Sequence, residues 1–126
     1  LARAATTYGG NISTIEMLPW KATLAREHFE LADVSDSIEL IEGTALDVLD
    51  QWDRQIDFVF LDADRRNYIS YIEKFDRWLP VGAVVIADNA LDCEDFKSYQ
   101  QYMAQHSDFD SALINLDNGL LLSIKK

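Results

Sequence analysis

The run Ile56-Asp57-Phe58-Val59-Phe60-Leu61 is apolar at five of its six positions and stops abruptly at Asp62-Ala63-Asp64. A strand of that composition has no polar face to offer water, so it belongs in a sheet covered by helices on both faces. Helices are therefore expected on either side of it, and both are legible. Before it, Ala45, Val48, Leu49 and Trp52 recur at helical spacing behind Thr44, a predicted N-cap. After it, Tyr68, Tyr71, Ile72, Phe75, Trp78 and Leu79 recur at three- and four-residue steps until Pro80 stops the pattern.

The alternation continues in both directions. Residues 1–7 read as the tail of a helix closed by Gly9-Gly10, and residues 11–16 as a strand. Pro19 opens a helix to about residue 32, with Leu24, His28 and Leu31 on one stripe. Residues 37–42 and 83–87 read as strands, the second running into Asp88-Asn89, and residues 93–106 as a helix. Residues 111–116 and 120–124 read as strands joined at Asp117-Asn118-Gly119, where Asn-Gly predicts an antiparallel hairpin. The expectation is one α/β domain over residues 1–126, with a mostly parallel sheet and a C-terminal antiparallel hairpin.

Composition narrows the partners. Eleven Lys and Arg against 22 Asp and Glu leave a net charge of −11, which opposes phosphate backbones and anionic membranes, so neither is expected as a partner. No apolar run approaches the roughly 18 residues needed to cross a bilayer. The single cysteine, Cys93, cannot form an intramolecular disulfide and fits a reducing, cytoplasmic compartment. His28 and His106 have no second His or Cys at ligand spacing, so any metal would be held by oxygen. Trp20, Trp52, Trp78 and the Tyr68, Tyr71, Phe75 stripe are read as core, with Tyr68, just after Asp64, the best exception, and Cys93 as a small packing residue.

Open parallel sheets bind ligands outside the carboxyl ends of their strands. Here those ends are Glu16, Glu42-Gly43, Asp62 and Asp88-Asn89. Any one of them is equally a polar strand end meeting water or a helix cap; their recurrence along one edge points to a site. Clustered carboxylates repel unless a cation offsets them, so Asp62, Asp88 and Asn89 suggest oxygen ligation of Mg²⁺ or Ca²⁺. Glu16, after a βα crossover, suits the two hydroxyls of a ribose.

At these residues the chain resembles the cation-dependent O-methyltransferases that use S-adenosylmethionine, the group containing the catechol and caffeoyl-CoA enzymes and many small bacterial ones. The segments that carry the likeness are Thr14-Ile15-Glu16 with Pro19, Ile38 through Ala45, Asp57 through Asp64 with Asn67-Tyr68, Val85 through Asn89, and Asn118-Gly119-Leu120. The resemblance implies a Rossmann-like methyltransferase fold that transfers a methyl group to a hydroxyl of a small catechol-like or phenolic acceptor. It implies that Glu16 holds the cofactor ribose, that Met17 and Gly43-Thr44-Ala45 lie near the adenine, and that Asp62 and Tyr68 also face the cofactor. Asp62, Asp88 and Asn89 become the ligands of a divalent cation that chelates two acceptor oxygens, with Asp62 and Arg65 as the catalytic pair.

Departures from the family pattern sharpen these expectations. Arg65 stands where many relatives carry Lys, and a guanidinium cannot take a proton at neutral pH, so activation falls to the metal. The segment Ala90-Leu91-Asp92-Cys93-Glu94-Asp95 is shorter than the relatives' substrate-capping insertion, which leaves the acceptor open. The family's glycine-rich loop and first core strand would lie upstream of Leu1, so the chain is expected to be part of a longer domain and to bind the cofactor poorly alone. That strand normally sits between the Glu16 and Asp62 strands. Two rival readings are a non-catalytic domain of the same fold and a nicotinamide-binding Rossmann enzyme. A homodimer is left open.

Overall fold

The computed structural model describes residues 1–91 and 94–126, which divide into two units, Leu1–Gln51 and Trp52–Lys126. Unit 1 runs α1 (Ala2–Thr7), β1 (Ile12–Glu16), α2 (Pro19–Leu31), a 3-10 turn, β2 (Ile38–Glu42) and α3 (Ala45–Asp50). β1 and β2 pair in parallel from Ile12↔Ile38 to Glu16↔Glu42, so both strands end at the same level. Gly9 ends α1 in the left-handed region at φ 72°, as its sequence position suggested. Thr44 caps α3 by accepting from the Asp47 backbone N–H at 3.2 Å. The helix stops at Asp50, leaving Trp52 outside it, where the Arg54 guanidinium sits 4.6 Å from its ring centroid.

The stripe expected on α2 is corrected. Leu24 and Leu31 are 43% and 85% exposed and His28 is exposed, whereas Ala22 is fully buried, with Ala25 and Phe29 half-buried. At about 100° per residue, positions 24 and 31 lie nearly opposite position 22. A small residue at the contact lets the helix sit close to its two strands, and the larger side chains turn outward.

Unit 2 contains β3 (Phe58–Leu61), a 3-10 turn at Arg65–Asn67, α4 (Tyr68–Phe75), β4 (Val84–Asp88), α5 (Glu94–Gln105), β5 (Phe109–Ile114) and β6 (Leu120–Lys125). Its sheet has the order β3-β4-β6-β5. β3 and β4 are parallel, ending at the pair Leu61↔Ala87, and β6 runs antiparallel to both β4 and β5. The C-terminal hairpin is thus present, with its second strand inserted against β4. The core gathers Tyr68, Tyr71, Ile72 and Phe75 from α4 with Phe96, Tyr99 and Met103 from α5, over the buried strand residues Leu61, Val85, Ala87 and Leu121.

Coverage on both faces, expected from the Ile56 to Leu61 run, is also corrected. Phe58 and Phe60 are each 44% exposed, and Ile114 and Ile124, on the same face of the sheet, are 40% and 42% exposed. The cause is connectivity. A right-handed β3-α4-β4 crossover puts α4 on one face, and the buried strand residues beneath α4 and α5 all belong to that face. β1 pairs with β2 alone and β3 with β4 alone, so each of these strands has one unpaired edge. No described helix is long and apolar enough to cross a membrane.

Candidate active site

In unit 2 the ladder between β3 and β4 closes at Leu61↔Ala87, so Asp62 and Asp88 are the next residues on adjacent parallel strands, about 4.8 Å apart in the pairing direction. Asp62 is exposed and has no hydrogen bond or ion pair among the described residues. Asp88 is half-buried, and its Oδ1 accepts from the Asn89 backbone N–H at 2.7 Å. Asn89 itself adopts φ 63°, a conformation that Asn tolerates better than most residues, and it turns the chain away from the strand end.

The segment after Asn89 is held from the β5–β6 loop. The N–H groups of Ala90 and Leu91 donate to the carbonyls of Gly119 and Asn118 at 2.9 and 2.8 Å. Gly119 has φ 82°, and a Cβ there would come within 2.5 Å of Leu91 Cγ, so only glycine allows this approach. The sequence marked Asn118-Gly119 as a turn; which backbone it would meet carries no local signal.

The two acids of Asp62-Ala63-Asp64 differ in kind. Asp64 accepts from Arg66 Nη2, Nε and backbone N at 2.8, 3.0 and 3.2 Å. The Arg66 hydrogen bond holds its carboxyl below the usual carboxylate range. Asp64 is thereby committed to the turn before α4, and Asp62 is left without a partner among the described residues. Arg65 is half-buried and makes no hydrogen bond or ion pair among the described residues. Tyr68, counted with the cofactor residues from the sequence, is fully buried, and its hydroxyl donates to the Leu61 carbonyl at 3.1 Å. Burial pushes its phenol up to about 12, with the charges of Asp62 and Asp88 adding to the effect and the Ala63 backbone N–H and Arg65 opposing it.

No three His, Cys, Asp or Glu side chains form a metal-holding cluster among the described residues. The candidate set is instead two carboxylates and one amide oxygen. Such a donor set fits a hard cation that keeps its other positions for water and acceptor oxygens.

In unit 1, Glu16 Oε1 accepts from the Leu18 N–H at 2.8 Å, and its carbonyl accepts from the Gly43 N–H at 3.1 Å. Glu16 and the Gly43-Thr44-Ala45 turn are therefore neighbours. The adjacent acid, Glu42, is paired with Arg26 at 2.7 Å. This leaves Glu16 as the strand-end carboxylate with an oxygen to spare. Met17, next in sequence, is 63% exposed. Cys93, the start of the helix expected at residue 93, and Asp92 lie outside the described residues.

A sequence model described as "O-methyltransferase" matches residues 2–123. The chain belongs to the O-methyltransferase family. A catechol O-methyltransferase of Mycobacterium tuberculosis is 38% identical to this family member over 92 residues, 72% of this chain and 41% of that protein. The O-methyltransferase from Bacillus cereus, solved in complex with SAH, superposes with a TM-score of 0.85 at 24% identity, covering 94% of this chain and 64% of that one. The O-methyltransferase TomG from Streptomyces achromogenes, solved in complex with SAM, gives 0.83 at 25% identity over 93% and 62% of the two chains. This chain thus spans about two fifths of the catechol relative and under two thirds of the two solved ones. The fold is the Rossmann-like methyltransferase fold of these neighbours, and the match displaces the nicotinamide-enzyme reading.

Proposed function

We propose that the protein transfers the methyl group of S-adenosylmethionine to a hydroxyl of a small catechol-like or phenolic acceptor, assisted by a divalent cation. The observation that carries this reading is the position of Asp62 and Asp88-Asn89 at neighbouring strand ends, with Asp62 unpaired among the described residues, in a chain of the O-methyltransferase family. SAM in one structural neighbour and SAH in another support the cofactor.

Glu16 would accept the ribose hydroxyls on its free oxygen, beside the Gly43-Thr44-Ala45 turn and Met17, which would border the adenine. Asp62, Asp88 and Asn89 would hold the cation through oxygen. A cation bound there supplies chelation of two neighbouring acceptor oxygens and a lower pKa for the attacking hydroxyl. Arg65, permanently protonated, has no part as a base; its guanidinium, unpaired among the described residues, would hold an anionic acceptor oxygen in place. Methyl transfer is then an in-line displacement: the acceptor oxygen bonds the methyl carbon as the carbon–sulfur bond breaks, and the hydroxyl proton leaves to solvent.

The test is methylation of catechol from labelled S-adenosylmethionine by the longer gene product of which these residues are expected to be part, with Mg²⁺ and with excess chelator. Activity with Mg²⁺, its loss in chelator, and a drop of at least about 100-fold in Asp88→Ala are expected, as for removal of a direct ligand. Undiminished methylation in chelator would overturn the cation-assisted mechanism.

A further inference from the structure

The Asp62 carboxylate lies one residue beyond the last rung of the β3–β4 ladder, where sheet pairing no longer fixes the backbone. We propose that Tyr68 is the positioning residue for this strand end: its hydroxyl, bonded to the Leu61 carbonyl at 3.1 Å, clips the turn that presents Asp62 to the cation. The inference rests on the cation reading above and adds to it a residue that touches neither metal nor acceptor.

Three observations support the clip. The Tyr68 ring has no exposed surface and is packed edge-to-face against Tyr99 and Phe96 at 5.3 and 6.0 Å, and tilted against Tyr71 at 6.3 Å, so its hydroxyl is a fixed peg. The bond joins residues 61 and 68 across the whole turn, and Asp64 tightens the middle of that turn through Arg66. The third is a comparison inside the same aromatic cluster. Tyr99 is buried to the same degree, but its hydroxyl has no partner among the described residues. Of the two fully buried phenols among the described residues, the one that is satisfied is the one reaching the residue before Asp62. Ligand-orienting partners of this kind commonly alter metal affinity about 10–100-fold when removed.

The experiment is titration of the chain with Mn²⁺, following the free-ion electron paramagnetic resonance signal at a temperature where circular dichroism shows each variant folded. Tyr68→Phe keeps the ring and removes the clip, and is expected to weaken Mn²⁺ binding about 10-fold; Tyr99→Phe, the matched control, is expected to bind as the wild type does. A hydroxyl that serves stability alone would lower the melting temperature and leave Mn²⁺ affinity unchanged, and that result overturns the proposal. Wild-type protein that binds no Mn²⁺ overturns the cation reading and this inference together.

Discussion

Asp62 and Asp64 are chemically identical and two residues apart, but Arg66 engages one and leaves the other facing solvent, unpaired among the described residues. Arg65 and Arg66 divide in the same way, one without a partner among the described residues and one spent on the turn. At this scale Tyr68 also makes a prediction about pH. Its phenol stands near 10 in the unfolded chain and is pushed up to about 12 by burial in the folded one. Between those values the unfolded chain has released a proton that the folded chain still holds, so stability present below pH 10 is lost as pH rises towards 12. In Tyr68→Phe that contribution is absent. Urea midpoints of the variant should therefore fall less steeply than those of the wild type above pH 10, and the two profiles should run parallel at neutral pH. Equal slopes through the alkaline range would count against the burial argument.

Among elements, the loop between β5 and β6 does two jobs, ending a hairpin and holding the segment that follows Asn89. Gly119→Ala should disturb both. Positive φ alone costs roughly 1–3 kcal/mol for a side-chain-bearing residue, and the 2.5 Å approach to Leu91 adds to it. Urea denaturation should show at least that loss, with weaker Mn²⁺ binding because Ala90 and Leu91 are displaced. Asn118→Ala, which keeps the carbonyl that Leu91 uses, should cost less. The order of strands and helices could be read in advance because each is written in its own residues: a period of two or of 3.6, Thr44 ahead of α3, Pro19 at the start of α2, Asn-Gly in the hairpin. Three features had no such local script. The inner face of α2 is set by the fully buried Ala22, and alanine carries little hydrophobic signal against Leu24 and Leu31. The position of β6 between β4 and β5 is a tertiary choice. Which of two neighbouring acids stays free depends on where Arg66 points. The candidate cation ligands were legible because strand ends are local; Tyr68's bond to Leu61 was not, because a buried aromatic at helical spacing reads as core whatever its hydroxyl does.

For the molecule as a whole, charge and apolar exposure oppose each other. A net charge of −11 keeps chains apart at low salt. The outer face of the unit 2 sheet, by contrast, presents Phe58 and Phe60 on β3, Ile124 on β6 and Ile114 on β5, each at least 40% exposed and all on the same face. Contiguous apolar surface of this kind binds environment-sensitive dyes, while scattered single side chains do not. The dye 8-anilinonaphthalenesulfonate is itself anionic, so the net charge should suppress its binding until salt screens the repulsion, with a Debye length of about 4–5 Å near 0.5 M. The expected result is weak fluorescence at low salt, a clear rise at high salt, and loss of most of that rise in Phe58→Ser/Phe60→Ser. Because both side chains are already 44% exposed, the double variant should unfold at nearly the wild-type urea concentration. A large drop in that midpoint, or dye binding that ignores the substitutions, would mean that this face is covered in solution.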